Sequence, residues 1–385
     1  MTLSQETFTR ELERRMAAVQ RAMKERNLKA LLVACLGSSA QTGWLRYLTG
    51  GELWSGSGYA VIEADNPQPQ IFVAPHDMAA WIRTLAPTSR VEATTGSSPT
   101  TIDRVIEALK KITGGAGRIG TVGVGRSMFA GDYATFRAAL PGLEVADLEA
   151  DLNRVRQIKS PFEIEAMRDM GRMLVEGFSI FEQHARPGAL ALEVSGRVEG
   201  YLRGQGCVWG RAKYSLDERP YTWTAAVDRR FKEDDIVLFQ YVYSSPYGYW
   251  YEIARLYSFK ALPPATARRY QAMDVALRET ARMSKPGCTY GEIASASDRI
   301  FREHGLTVVG KHTEDVHSIG TDISDGPPWY TDDWEIKENM ILALHPASLV
   351  EGDLAFFLCE NYVVERGGAT PLSPLASFYL QLPNK

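Results

Sequence analysis

Arg186-Pro187-Gly188, followed by Glu193-Val194, returns as Lys285-Pro286-Gly287 followed by Glu292-Ile293, at an offset of 99 residues. Each copy follows a long amphipathic stretch, 170–185 and 270–284, and leads into a second one closed by glycine, Gly206 and Gly305. Stacked repeats use units of roughly 20 to 50 residues, so a period this long predicts two similar half-domains folded onto each other. The cleft between such halves is where chemistry is expected.

The chain of 385 residues is long enough for a further domain beside this pair, since single cores rarely grow past roughly 250 to 300 residues. A net charge of -4 gives no electrostatic reason to expect nucleic acid. No run of 18 apolar residues predicts a membrane span, and residues 1–15 mix Glu and Arg without the apolar core of a signal peptide. Cys35, Cys207, Cys288 and Cys359 lie far apart without CxxC spacing, which fits buried thiols in a reducing cytoplasm.

Apolar positions Leu12, Met16, Val19, Met23 and Leu28 predict an amphipathic helix, and the run to Cys35 predicts a buried strand. Strand patterns at 58–63, 70–74 and 119–124 alternate with helical ones at 101–112 and 128–140, giving an α/β domain over residues 1–155. Ser160-Pro161 opens a predicted helix over 162–184. Residues 156–385 form the second domain, with antiparallel pairs expected between 236–243 and 249–259 and between 340–344 and 355–365.

The run Ile158-Lys159-Ser160-Pro161-Phe162-Glu163-Ile164, the two Pro-Gly-x4-Glu units, Gly248-Tyr249 and the turn His317-Ser318-Ile319-Gly320 resemble the creatinase, prolidase and aminopeptidase P family. The resemblance implies an α/β (α+β) fold: a small ribonuclease H-like, creatinase-type N-terminal domain, then a pita-bread domain of two pseudo-symmetric halves. Metal-dependent members place two aspartates, a histidine and two glutamates around two ions. Matched motif by motif, these positions hold Gln240, Glu252, His317, His345 and Glu360.

Two imidazoles and two carboxylates suit Zn, Mn or Fe, whereas the neutral amide of Gln240 is a poor replacement for an anionic ligand. The expectation is therefore at most one divalent ion, held by Glu252, His317, His345 and Glu360. The alternative is a metal-free site, as in creatinase, where the same four groups act as acid and base. Asn361 is expected to orient Glu360, and Arg255 to pair with a buried carboxylate.

A further histidine that peptidases of the family carry is replaced by Ser324, and none occurs near Trp223, where another is expected. His312 is a candidate stand-in, and Trp223 and Trp329 are expected to rim the pocket, suiting an aromatic or cationic substrate. These departures favour an enzyme that hydrolyses or eliminates at a C–N, C–O or C–S bond of a small non-peptide molecule. The alternatives are an Xaa-Pro dipeptidase or aminopeptidase with altered ligands, and a non-catalytic binding protein that kept the fold. The resemblance further implies a homodimer.

Overall fold

The computed structural model describes residues 4–37, 43–95, 98–217, 228–306, 316–326, 332–350 and 354–383. It divides into two compact units, Met1–Arg156 and Gln157–Lys385.

The first unit runs α1 (Gln5–Glu25), β1 (Ala30–Leu36), α2 (Gly43–Thr49), β2 (Ser57–Glu63), β3 (Gln70–Val73), α3 (His76–Leu85), β4 (Arg90–Ala93), α4 (Thr101–Thr113), β5 (Gly117–Val122), α5 (Val124–Ser127), α6 (Ala130–Ala139) and β6 (Leu143–Asp147), and α7 (Glu149–Gln157) crosses into the second. Its sheet has the order β4-β3-β2-β1-β5-β6. The β1–β2 and β2–β3 pairs are antiparallel and the other three parallel. Both faces of β1 are covered, with Leu31, Val33 and Cys35 in one core and Ala30, Leu32 and Ala34 in the other. That is why this strand reads as an unbroken apolar run.

In the second unit α8 (Pro161–His184), α9 (Ala191–Gly204), β7 (Gly210–Asp217), β8 (Ile236–Ser244) and β9 (Trp250–Ser258) make the first half. The second half follows as α10 (Pro264–Met283), α11 (Tyr290–Glu303), β10 (Val316–Ser318), β11 (Ile341–Leu344), β12 (Ala347–Val350), β13 (Leu354–Phe357), β14 (Glu360–Glu365) and β15 (Gly368–Pro371), and β16 (Tyr379–Gln381) returns to β9. The main sheets have the orders β16-β9-β8-β7 and β10-β11-β14-β15. The run 355–365, expected as one strand, is two: β13 pairs with β12, and β14 with β11. Leu358 and Cys359 separate them.

The repeat is visible in backbone bonds. Gly188 N–H donates to Phe231 O at 2.8 Å, and Gly287 N–H to Ile336 O at 3.1 Å. Both glycines have positive φ, 85° and 92°, as do Gly206 at 89° and Gly305 at 70°, a conformation that strains residues bearing a Cβ. The two repeat glutamates differ in their work. Glu292 closes a capping box with Thr289, whereas the Leu190 N-cap of α9 offers no side-chain bond to the helix.

Alternation along β7, β8 and β9 divides two environments. Tyr214, Phe239, Tyr241 and Tyr257 pack against Phe178 and Phe181 of α8, with Phe181 stacked on Phe239 at a centroid distance of 4.4 Å. Lys213, Gln240 and Ala254, opposite one another in register, and Val242 with Glu252, occupy the other face.

Candidate active site

Two backbone bonds anchor β9 to the second half. Trp250 N–H donates to Gly320 O at 2.7 Å, and Ala254 N–H to Cys359 O at 3.0 Å. Glu252 lies midway between these anchors. In the other sheet, register places His317, Ala343 and Asn361 side by side on one face. His345 follows the end of β11. The small side chain of Ala343 leaves room for the groups on either side.

Donor atoms of Glu252, His317 and His345 all lie within 4.8 Å of one another. Glu252 Oε1 is 3.7 Å from His317 Nε2, and the two imidazole rings are 5.0 Å apart by centroid. His317 Nδ1 lies 3.2 Å from Ser318 O; a carbonyl only accepts, so Nδ1 is the donor. In the neutral ring this leaves a lone pair on Nε2 facing the carboxylate. A proton on Nε2 or a metal ion between the two groups would join them.

His345 is only partly exposed and closely surrounded by protein. Burial, then the facing His317 ring, pushes its pKa down to about 3, which keeps it neutral with a lone pair to offer. Two imidazole nitrogens and one carboxylate oxygen in this space fit one divalent ion of the Zn, Mn or Fe type.

The expected fourth member does not join them. The β11–β14 register puts Glu360 opposite Leu344, on the face away from His317 and Asn361. There its carboxylate accepts from Tyr251 OH at 2.5 Å, from the Asn361 backbone N–H at 2.6 Å and from the Ser373 hydroxyl. Burial raises its pKa to about 7, with these donors opposing the rise. Asn361 thus orients Glu360, as expected, and does so through its backbone N–H, while its side-chain Oδ1 and Nδ2 are both unbonded. Gln240 is 1% exposed with its Oε1 unbonded.

Ser324 is half-buried in the turn after His317 and takes no part in the donor group. Trp223, His312 and Trp329 lie outside the described residues. Arg255 pairs with Glu182 of α8 at 2.5 Å on the helix side of the sheet, a half-buried carboxylate where a buried one was expected. A surface cavity bordered by Arg282, Lys285, Thr289 and Arg299 contains none of the candidate residues. Sequence reasoning passed over Lys213, which belongs to no motif. The available signal was alternation: Arg211, Lys213 and Ser215 interleave with apolar Ala212, Tyr214 and Leu216.

The Lys-Ser-Pro run supports the site from below. Ser160 and Glu163 form a capping box at the start of α8, with Pro161 in its first turn. Lys159 Nζ is 2.8 Å from Asp325 Oδ2, both side chains being essentially inaccessible. Asp325 also accepts from Asp322 N–H and donates its own N–H to Ser318 O, fixing the turn that follows His317. A Cβ at Gly320 would sit 1.9 Å from Asp325 Oδ2, so only glycine fits beneath this ion pair.

These halves, with their donors gathered where β9 meets the second sheet, have the pita-bread architecture. Residues 165–366 match metallopeptidase family M24 and residues 15–158 the creatinase/prolidase N-terminal domain; the chain belongs to family M24. The resemblance read from the sequence therefore holds. The chain is 28% identical to an uncharacterised hydrolase/peptidase of Sinorhizobium fredii over 94% of both chains. A putative dipeptidase of Bacillus subtilis is 22% identical over 61% of this chain and 65% of its own. Among solved structures, dipeptidase PepE from Mycobacterium ulcerans superposes with a TM-score of 0.77 at 21% identity, covering 97% of this chain and 99% of the other. X-Pro aminopeptidase from Thermotoga maritima gives 0.78 at 16%, covering 95% and 99%. At these identities the superpositions speak for the fold. Among the described residues no helix is long and apolar enough to cross a membrane.

Proposed function

We propose that the protein is a hydrolase that cleaves the amide C–N bond of a dipeptide-sized substrate at a single-ion site. The carrying observation is the convergence of Glu252, His317 and His345 within 4.8 Å. Relatives described as a hydrolase/peptidase and a dipeptidase support a peptide-like substrate over the non-peptide one expected from the missing histidines. The replacement at Ser324 remains a departure from the family's peptidases.

Glu252, His317 and His345 would hold the ion. A divalent ion bound there supplies Lewis-acid polarisation of a carbonyl oxygen and activation of water. The protein groups do the positioning. Ser318 O fixes the His317 tautomer, so Nε2 faces the reaction space. His345 stays unprotonated through the neutral range. Gln240 supplies no negative charge, which argues against a second ion at its end of the site.

The test is a panel of dipeptides, prolyl and non-prolyl, assayed for amine release after loading with Zn, Mn or Fe. Turnover that depends on added ion and is lost in His317→Ala is expected. Absence of turnover on every dipeptide, with the ion bound, would overturn the reading.

A further inference from the structure

A cavity of about 380 Å³ opens in the second half between α10, the β14–β15 pair and the segment 375–378. Asn361 and Tyr362 are consecutive on β14, so they point to opposite faces of the sheet. Asn361 shares its face with Ala343 and His317, whereas Tyr362 packs in the core with Ala276, Leu277 and Phe378. Tyr362 and Phe378 border the cavity, which therefore lies across the sheet from the donor group.

The walls are apolar, with Ala281, Pro371, Leu375 and Phe378, and the polar side chains among them are mostly hydrogen-bond donors. Tyr362 is 5% exposed, and its hydroxyl has no hydrogen-bond partner among the described residues. Arg278 and Arg282 border the cavity from α10. Each uses Nε and Nη2 on a carboxylate of its own helix, Asp274 and Glu279 respectively, and leaves Nη1 without a partner among the described residues. The Arg278 guanidinium and the Tyr362 hydroxyl feel each other's charge, so the two lie within electrostatic reach. Glu365, exposed at the end of β14, is the one acid on the border. Water can satisfy a single hydroxyl, but several unused donors beside apolar walls of this size are the make-up of a small-molecule site.

We propose that this cavity binds a small carboxylate with an apolar body, at a site separate from the donor group. The body fills the space between Ala281, Leu375 and Phe378, and its removal from water supplies the main driving force. An ionised carboxylate has acceptor oxygens only, which matches the Tyr362 hydroxyl and the Nη1 groups of Arg278 and Arg282. Glu365 repels the anion and confines it to the arginine side of the mouth. A cationic ligand would meet donors where it needs acceptors, with Glu365 the sole exception. The proposal stands apart from the hydrolase reading, because none of these residues belongs to the donor group.

Binding of 3-phenylpropionate and of its neutral counterpart 3-phenylpropionamide is measured by calorimetry on the full chain, as wild type, Tyr362→Phe, Arg278→Met and His317→Ala. Wild type is expected to favour the carboxylate at least ~10-fold. Tyr362→Phe and Arg278→Met should each weaken carboxylate binding ~5-fold or more, and His317→Ala should bind it as wild type does. No binding of either probe up to ~10 mM, equal affinity for the two in wild type, or undiminished carboxylate affinity in Tyr362→Phe or Arg278→Met overturns the site. Loss of carboxylate binding in His317→Ala also overturns it, by placing the probe on the donor group.

Discussion

Glu252 and His317 come from opposite halves of the repeat and meet with Oε1 3.7 Å from Nε2. With His345 they offer three donors to one ion. Protein purified without added metal is expected to carry about one equivalent per chain by elemental analysis. Glu252→Ala or His317→Ala should weaken binding ~100-fold or more. Two equivalents per chain would contradict the donor set, and none would favour acid–base catalysis without metal.

Glu360 gives a pH signature. Its carboxyl is raised from an ordinary value of 4.5 to about 7, mainly by burial, so the folded chain holds this proton more tightly than the unfolded one. Its contribution to stability is full below pH 4.5, declines between 4.5 and 7 and is gone above, a difference of ~3 kcal/mol. His345, lowered from 6.5 to about 3, slopes the other way, losing stability as pH falls from 6.5 to 3. The informative quantity is therefore wild type minus Glu360→Gln in urea unfolding. That difference should shrink steadily from pH 5 to 7.5; a constant difference would refute the assignment.

The Lys159–Asp325 pair is inaccessible on both sides, at 0% and 2%. Asp325→Ala strands a buried ammonium and should cost ~3–5 kcal/mol in denaturant unfolding. Gly320→Ala forces the pair apart and should also lower metal affinity, because the same turn carries His317. A Gly320→Ala protein within ~0.5 kcal/mol of wild type would show that the pair does not support the site.

Phe181 lies between Phe239 and Tyr257, with ring centroids at 4.4 and 4.7 Å. Phe181→Ala should cost ~3–5 kcal/mol and Phe181→Leu under about 1.5 kcal/mol. Metal content should not change, since this layer faces α8, away from the donors. Loss of metal from the folded Leu variant would mean that the two faces are coupled.

What was legible in the sequence was punctuation and period. Pro-Gly steps at fixed spacing announced the two halves because positive φ admits little else, and Ser160-Pro161 announced α8 because its cap is made by those side chains. Glu252, His317 and His345 could be matched because each lies on or next to a strand with a recognisable motif. Glu360 could be located but not aimed: a one-residue difference in register turns a strand's side chains to the opposite face, and only the pairing with Leu344 reveals which applies. Lys213 was invisible for another reason. Its place on the site face comes from pairing with Gln240, a neighbour across the sheet, not along the chain.

The donor group takes its acid from β9 and both imidazoles from the later strands, so the duplicated architecture is not duplicated chemistry. A chain severed in the linker between β9 and α10 would leave two fragments, each with part of a coordination shell and neither able to trap an ion. Only their reassociation would restore one, so on the single-ion proposal retention of metal would report that the two lobes have come together.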